Sequence, residues 1–379
     1  MMSQRSKREL WETIRPRYLK ATKAEKQKIL DEFIASSGYH RKYAIRILRH
    51  GYPQGQHKRR GKKPVYGGEV VVALERIWEI YGQICSKRLH PFLPEGIKVL
   101  ERCGELCLSP EVKQLLLRMS RATIDRCLRS VRFKLPHGLS TTKPGTLLKK
   151  AIPVRTFADW DEDQPGFMEI DLLAHCGDSV EGQYLNTLTC TDICTGWTEP
   201  IALRYRSQQT VRDALHAMRP ELPFTLLGID SDNGGEFINA LLYRYCVNEH
   251  ITFTRSRPYQ KNDQAHVEQK NWSVVRHTVG YKRLESDAAF ELLTSLYADL
   301  RLYINFFQPV LKLVFKSRVE GKFIKSYDQA STPYRRIMTS KDVSPQIKAR
   351  FTKLYVTLNP LALRNAIDRK VDQLWELTK

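Results

Sequence analysis

The sequence predicts a multidomain protein in which an α/β core follows all-α domains at the front of the chain. Its 379 residues exceed one typical domain and suffice for two to four. Helical periodicity dominates the first third, whereas short apolar runs alternate with helical patterns in the middle. We therefore divide the chain into all-α domains over residues 1–64 and 65–136, a linker over 137–164, the core over 165–308 and a basic C-terminal region over 309–379.

The charge of the chain points to a polyanionic partner. The formal net charge is +21 and the pI is near 9.6. No apolar run approaches the roughly 20 residues of a membrane-spanning helix, which favours nucleic acid over a membrane as the partner. The start of the chain is polar and basic, without a signal-peptide pattern, so we expect a cytoplasmic, nucleoid-associated protein. The eight cysteines include no Cys-x-x-Cys pair and are interpreted as reduced structural thiols.

The sequence of the first domain predicts a helix-turn-helix followed by a basic arm. Thr22 to Glu25 has the pattern of a capping box that starts one helix, and a second helix is predicted from about residue 40 to residue 49. The alternatives are a plain helical hairpin with a solvated basic face and an arm that only improves solubility. The residues predicted to contact DNA are Arg41, Lys42 and Arg46 on the second helix and Lys58, Arg59 and Arg60 in the arm.

A second helix-turn-helix is predicted within residues 65–136. Ser109 followed by Pro110 starts one helix, and Ser120 starts the next. A helical bundle that never touches DNA would give the same pattern. The predicted exposed face of the last helix contains Arg121, Thr123 and Arg126.

The core pattern is that of a mixed sheet flanked by helices. Phe224 to Ile229 is an apolar run that ends in acids and a double glycine, as a buried strand does where it enters a polar site. The predicted elements are a strand around Asp171, a hairpin over 184–203, a helix over 210–218, a strand over 224–231, a helix over 236–249, a strand over 251–256, a polar loop over 257–263 and a helix from Gln264.

Three acids on three of these elements can converge. Asp171 lies on the first strand, Asp232 at the end of another, and Glu268 on the helix after the polar loop. Converging carboxylates resist joint ionisation unless divalent cations supply the missing charge. Two such ions, roughly 3.5 to 4 Å apart, could polarise an attacking hydroxyl and stabilise the leaving oxygen of a phosphodiester.

The spacing of these acids resembles that of a known superfamily. Asp232 lies in Ser-Asp-Asn-Gly, 35 residues separate it from Glu268, and Asn271 completes a Glu-x-x-Asn ending. Together with Asp171, this pattern is similar to the catalytic core of retroviral integrases and insertion-sequence transposases over about residues 160–308. The family often has glycine where this chain has Ala265, which we expect to alter the helix start or the preceding loop.

The resemblance implies a ribonuclease-H-like core with a mixed five-stranded sheet, and a metal-dependent polynucleotidyl transferase. It implies that Asp171, Asp232 and Glu268 are the catalytic residues and hold Mg²⁺ or Mn²⁺, with two ions expected. Asn233 and Asn271 would support the site, and we expect Lys261 and Lys270 to touch phosphates. The expected partners are double-stranded DNA, both element ends and target, and further copies of this chain.

Several alternatives remain open. Glu169 and Asp230 share strand faces with the proposed ligands and could either support those ligands or be alternate ligands. Asp192 and Glu236 are interpreted as a turn former and a helix-start acid. His175 and His266 could assist proton transfer, although lone histidines are usually structural. At the level of function, the alternatives are a nuclease of the same fold that does not join strands, and a DNA-binding regulator with an inert core.

Overall fold

The structure is a computed structural model that describes residues 2–52, 65–131, 164–256, 264–319 and 322–378. Most of the predicted linker lies outside the described residues, as do Lys58, Arg59 and Arg60 of the basic arm and Lys261 of the polar loop. Two compact units, Met1–Val65 and Tyr66–Lys379, make up the chain. Each helix among the described residues is too short or too polar to cross a membrane.

The first unit is a small helical domain. Its helices are α1 (Gln4–Lys20), α2 (Lys23–Ser37) and α3 (Arg41–His50). The predicted capping box is present, because the Thr22 backbone N–H donates to Glu25 Oε2 at 2.8 Å. Apolar side chains from all three helices, including the fully buried Phe33 and Ile47, form its core. The unpredicted helix α1 completes this core, which two short helices alone would leave open on one side.

The second unit begins with four helices. They are α4 (Glu69–Ile80), α5 (Ser86–Arg102), α6 (Pro110–Arg118) and α7 (Arg121–Cys127). As predicted, Ser109 caps α6 and Ser120 caps α7, each hydroxyl accepting a hydrogen bond from a backbone N–H of the first turn. Thr123 corrects the predicted exposed face of α7, because it is buried and its hydroxyl contacts that of Ser120 at 3.0 Å.

A five-stranded mixed sheet follows, in the order β3-β2-β1-β4-β5. Its strands are β1 (Phe167–Ala174), β2 (Asn186–Asp192), β3 (Thr198–Leu203), β4 (Gly228–Ser231) and β5 (Thr252–Arg255). The first three strands are antiparallel, whereas β1, β4 and β5 run parallel. The helices that accompany the sheet are α8 (Gln208–Met218), α9 (Ala240–Asn248), α10 (Ala265–Lys270), a π-helical turn (Asn271–Arg276), α11 (His277–Val279) and α12 (Asp287–Phe307). This arrangement confirms the predicted mixed sheet flanked by helices and fits a ribonuclease-H-like core.

The C-terminal region packs onto the same unit. It contains the hairpin β6 (Leu313–Val319) and β7 (Lys322–Tyr327), then α13 (Pro333–Thr339), α14 (Pro345–Thr357) and α15 (Pro360–Glu376). The buried hydroxyl of Tyr303 on α12 donates to the Ile80 carbonyl at 2.6 Å, and Arg102 donates to the Leu358 carbonyl at 3.1 Å. These long-range contacts tie the α4–α7 helices and the C-terminal helices to the sheet, so residues 66–379 form one unit.

Candidate active site

Two carboxylates lie side by side at the ends of neighbouring strands. β1 and β4 are parallel, and their register pairs Ile170 with Ser231. One further step along both strands places Asp171 beside Asp232, which directly follows β4. Because adjacent strands lie about 4.8 Å apart, the two side chains emerge at the same edge of the sheet.

The helix after Gln264 carries the third acid to this edge. Asn271 Nδ2 donates to Asp171 Oδ2 at 2.7 Å, and the Val267 backbone N–H donates to Glu169 Oε2 at 2.8 Å. Glu268 lies between these two anchors, one helical turn before Asn271 and on its face of the helix. The exposed Glu268 carboxylate is close enough for its charge to raise the pKa of Asp171. Asn271 begins the π-helical turn, a rare geometry that is frequent at functional sites.

Burial and mutual repulsion oppose ionisation of these acids. Burial, followed by the charge of Asp232, raises the pKa of Asp171 to about 8. Burial also raises the pKa of Asp232 to about 6, although the Gly234 backbone N–H donates to its Oδ1 at 2.8 Å. Carboxylates that repel one another to this extent favour a bound cation, which would stabilise their ionised forms.

Glu236 is a fourth acid at this edge. It was predicted to be a helix-start residue. It precedes α9 by several residues, and its charge raises the pKa of both Asp171 and Asp232. A Cβ at Gly234 would lie 2.5 Å from Glu236 Oε1 and 2.8 Å from Asp232 Oδ1, so glycine permits the two carboxylates to approach. Arg206 Nη2 contacts Glu236 Oε1 at 2.5 Å and supplies a compensating positive charge. In the sequence, the double glycine before Glu236 is the single sign that the two carboxylates could approach each other.

A second pair of acids lies deeper in the sheet. Glu169 on β1 is paired with Asp230 on β4, and both side chains are fully buried. Burial, opposed by the hydrogen bond from Val267, raises the pKa of Glu169 well above its usual range. The Thr254 hydroxyl donates to Asp230 Oδ1 at 2.5 Å. Because Glu169 accepts from the first turn of α10, its contacts position the helix that carries Glu268.

Other predicted residues have structural roles. Asn233 donates through Nδ2 to the Ser256 carbonyl at 2.9 Å, which joins the loop after β4 to the end of β5. Asp192 organises the turn after β2 by accepting from the Thr195 backbone N–H at 2.8 Å and hydroxyl at 2.6 Å, as expected of a turn former. His175 is fully buried, and burial lowers its pKa to about 3. It therefore stays neutral at physiological pH and has no access to solvent for proton transfer.

The donor chemistry at the sheet edge suits a hard cation. Asp171, Asp232 and Glu268 offer carboxylate oxygens, which Mg²⁺ and Mn²⁺ prefer. Glu169 Oε1 and Asn271 Oδ1 are buried and have no hydrogen-bond partner among the described residues. As placed, no group of three or more His, Cys, Asp or Glu side chains in the described part of the chain could hold a metal ion. Joint ligation by the three acids therefore requires their side chains to rotate.

The predicted DNA contacts differ in exposure. Arg41, Lys42 and Arg46 are exposed on α3, although Arg41 forms an ion pair with Asp31 at 2.7 Å. Arg121 and Arg126 are exposed on α7. Lys270 is instead buried, with 9% of its surface exposed, and does not share the face of Glu268.

Comparisons with known proteins give one extensive match. No protein-family model matches the chain. The chain is 42% identical over 337 residues to the "Uncharacterized protein y4rM" of Sinorhizobium fredii (strain NBRC 101917 / NGR234), and this match covers 88% of the chain and 96% of that protein. Among solved structures, the catalytic core domain of BIV integrase matches with a TM-score of 0.31 and 14% identity, over 50% of this chain and 98% of that one. A structural similarity this low carries no conclusion about activity.

Proposed function

The chain belongs to the same family as y4rM of Sinorhizobium fredii, and we propose that it is a DNA transposase of the integrase superfamily. In this proposal it binds the ends of a mobile element, cleaves a strand at each end and joins the exposed 3′ ends to target DNA. The activity is that of a metal-dependent polynucleotidyl transferase. Several copies of the chain would act together, because two element ends must be joined to one target.

The observation that supports the proposal is the approach of two acids that are remote in sequence, with a third on the adjoining helix. The register of β1 and β4 sets Asp171 beside Asp232, and the charge of Glu268 acts on Asp171 from the adjoining helix. The 35-residue interval before Glu268 is the one that the integrase superfamily has. The net charge of +21 gives the chain a strong attraction for a phosphodiester backbone.

The proposed ligands for Mg²⁺ or Mn²⁺ are Asp171, Asp232 and Glu268. When bound, two such ions would polarise phosphodiester oxygens and neutralise the developing charge. Asn271 holds the Asp171 carboxylate through the 2.7 Å hydrogen bond, and Glu169 holds the start of α10 through Val267. These contacts fix the backbone around the site.

The two proposed reactions exchange one phosphorus–oxygen bond for another. In cleavage, a water oxygen bonds to phosphorus, the 3′ oxygen leaves and takes up a proton, and a 3′ hydroxyl results. In joining, that hydroxyl attacks a phosphorus of the target, and a target 3′ oxygen leaves. No covalent intermediate with the protein and no external energy source is needed.

The proposal can be tested with labelled duplexes that carry the inverted repeats flanking the gene, a plasmid target and Mg²⁺ or Mn²⁺. Alanine at Asp171, Asp232 or Glu268 should abolish strand transfer, a loss of at least a thousandfold, while binding of the duplex ends persists. Glu291→Ala, an exposed acid on α12, is the matched control and should retain transfer. Transfer at the wild-type rate in all three triad variants would rule the mechanism out.

The same assay separates the two alternative functions. Cleaved donor ends without joined products would indicate a nuclease of this fold. Binding of the cognate ends without cleavage in either metal would indicate a regulator with an inert core.

A further inference from the structure

A second polar site lies on the other side of the helix that carries Glu268. It is a cavity of about 1300 Å³, lined by the start of α5, the helix from α10 to α11, the segment that joins α12 to β6, and part of β7 with the loop after it. Lys270 follows Glu268 by two residues, which turns its side chain about 200° around the helix axis. The cavity is therefore separate from the acidic edge of the sheet, although one helix contributes to both.

The cavity is strongly cationic. Eight of the described residues that line it are lysine or arginine, and a single one, Asp328, is a carboxylate. Asp328 forms an ion pair with Arg336 Nη1 at 2.7 Å, and Asp368, which does not line the cavity, pairs with Arg364 Nε at 2.9 Å. The other six cations have no ion-pair partner within the described residues. The site thus has a large excess of positive charge inside a partly enclosed space, where solvent screens it poorly.

Lys270 lies at the centre of this charge. Nine-tenths of its surface is buried, and its ammonium group, which keeps contact with solvent, has no hydrogen-bond or ion-pair partner within the described residues. Its neighbours include Arg88 and Arg336, whose charges repel it. Arg336 Nε is buried and has no hydrogen-bond partner among the residues that the structure describes. A largely buried lysine that faces other cations costs folding free energy, part of which a bound anion would recover.

The size and the aromatic residues of the cavity restrict the anion. A cube of this volume has an edge of about 11 Å, and the major groove of B-DNA alone is roughly 12 Å wide, so the cavity is too small to enclose a duplex. Trp272 and Tyr327 line the cavity with half or more of their surface exposed. Exposed aromatic rings beside cations are the features that bind unpaired bases and their phosphates.

We infer that this cavity binds a single strand of nucleic acid, with its phosphates on Lys270, Arg88 and neighbouring cations and a base stacked on Trp272. The inference deepens the proposed function and rests on it for the source of the strand, a DNA end that is separated from its complement. An acidic peptide would satisfy the cations and leave the aromatic rings unused.

Binding of a fluorescein-labelled 12-nucleotide oligo-dT to the full chain in a chelator tests the inference without catalysis. Lys270→Met should weaken binding about tenfold and reduce the slope of log K against log salt by about 0.7, the value for one phosphate contact on a single strand. Trp272→Leu should weaken binding about tenfold, whereas Trp272→Phe should preserve it. Lys353→Met, at an exposed lysine of α14 outside the cavity, is the matched control and should bind as the wild type does.

Photo-cross-linking locates the strand directly. An oligonucleotide carrying 5-iodouracil should form cross-links to Trp272 or Tyr327, identified by mass spectrometry of the digested protein. Cross-links confined to residues outside the cavity, or equal binding by Lys270→Met and Lys353→Met, would overturn the inference. Displacement of the oligonucleotide by polyglutamate as effectively as by unlabelled oligo-dT would also overturn it.

The outcome is independent of the catalytic proposal. The binding assay contains a chelator, so it does not depend on the proposed metal-dependent reaction, and Asp232 at the sheet edge does not line the cavity. Strand binding without transfer of element ends would refute the transposase proposal alone. Transfer without any effect of Lys270 or Trp272 on strand binding would refute the cavity proposal alone. If Lys270→Met does not fold, the exposed position of Trp272 still permits the test.

Discussion

Replacement of Lys270 by methionine should stabilise the protein. Burial, followed by the charges of Arg88 and Arg336, lowers the pKa of Lys270 from 10.5 to about 7. That shift corresponds to about 4 kcal/mol of destabilisation at pH 7, since each pKa unit is worth about 1.4 kcal/mol. Methionine retains the apolar stem and removes the charge, so we expect a gain of about 2 to 4 kcal/mol in the free energy of unfolding.

Urea unfolding of the full chain, followed by tryptophan fluorescence, measures this gain. Lys353→Met should change the free energy of unfolding by less than about 0.5 kcal/mol, as exposed substitutions usually do. The gain should shrink as the pH rises toward about 10.5, because the unfolded lysine then also loses its proton. A Lys270→Met protein less stable than the wild type would mean that the ammonium group is satisfied within the fold. The cavity would then lack the unsatisfied charge that a bound anion would neutralise.

Two further predictions concern the interior of the sheet and the acidic edge. Burial, followed by the charge of Arg276, lowers the pKa of His175 to about 3. Below pH 6.5 the unfolded chain binds a proton at this residue that the folded chain does not bind. His175 should therefore contribute a loss of about 2 kcal/mol of stability between pH 7 and pH 5, which the raised pKa values of Asp171 and Asp232 oppose. The difference between the wild type and His175→Gln in urea unfolding at the two pH values measures this contribution. Asn271→Ala should lower the turnover number of strand transfer about tenfold or more without changing the affinity for DNA ends, because it removes the hydrogen bond that holds Asp171. An unchanged turnover number would show that the carboxylate keeps its position without Asn271.

Local signals predicted much of the architecture. The capping box at Thr22 and the capping serine before Pro110 start helices where expected, because these signals act through hydrogen bonds within one turn. The alternation of acids and apolar residues around Asp171 predicted a strand, because successive side chains of a strand point to opposite faces of the sheet. The hairpin of β6 and β7 was not predicted, since its basic and exposed residues lack the apolar alternation of a packed strand.

The candidate site was predicted in part. The interval between Asp232 and Glu268 indicated which acids belong together, and Asn271 was expected to support them. Glu236 was read as a helix-start acid, because its approach to Asp232 depends on a glycine contact across a loop. The burial of Lys270 could not be predicted from the sequence either, because it depends on the packing of α5 and the C-terminal region around the helix.

By itself, the sequence determined most of the kinds of element, the strongly basic charge and the positions of three acids whose spacing resembles that of the integrase superfamily. The tertiary structure decided which charges face each other. Strand register sets Asp171 against Asp232, and helix rotation sends Glu268 and Lys270 to different sites. The physical reason is that electrostatic interactions depend on distance and burial, and both are fixed by contacts between residues that are remote in the chain.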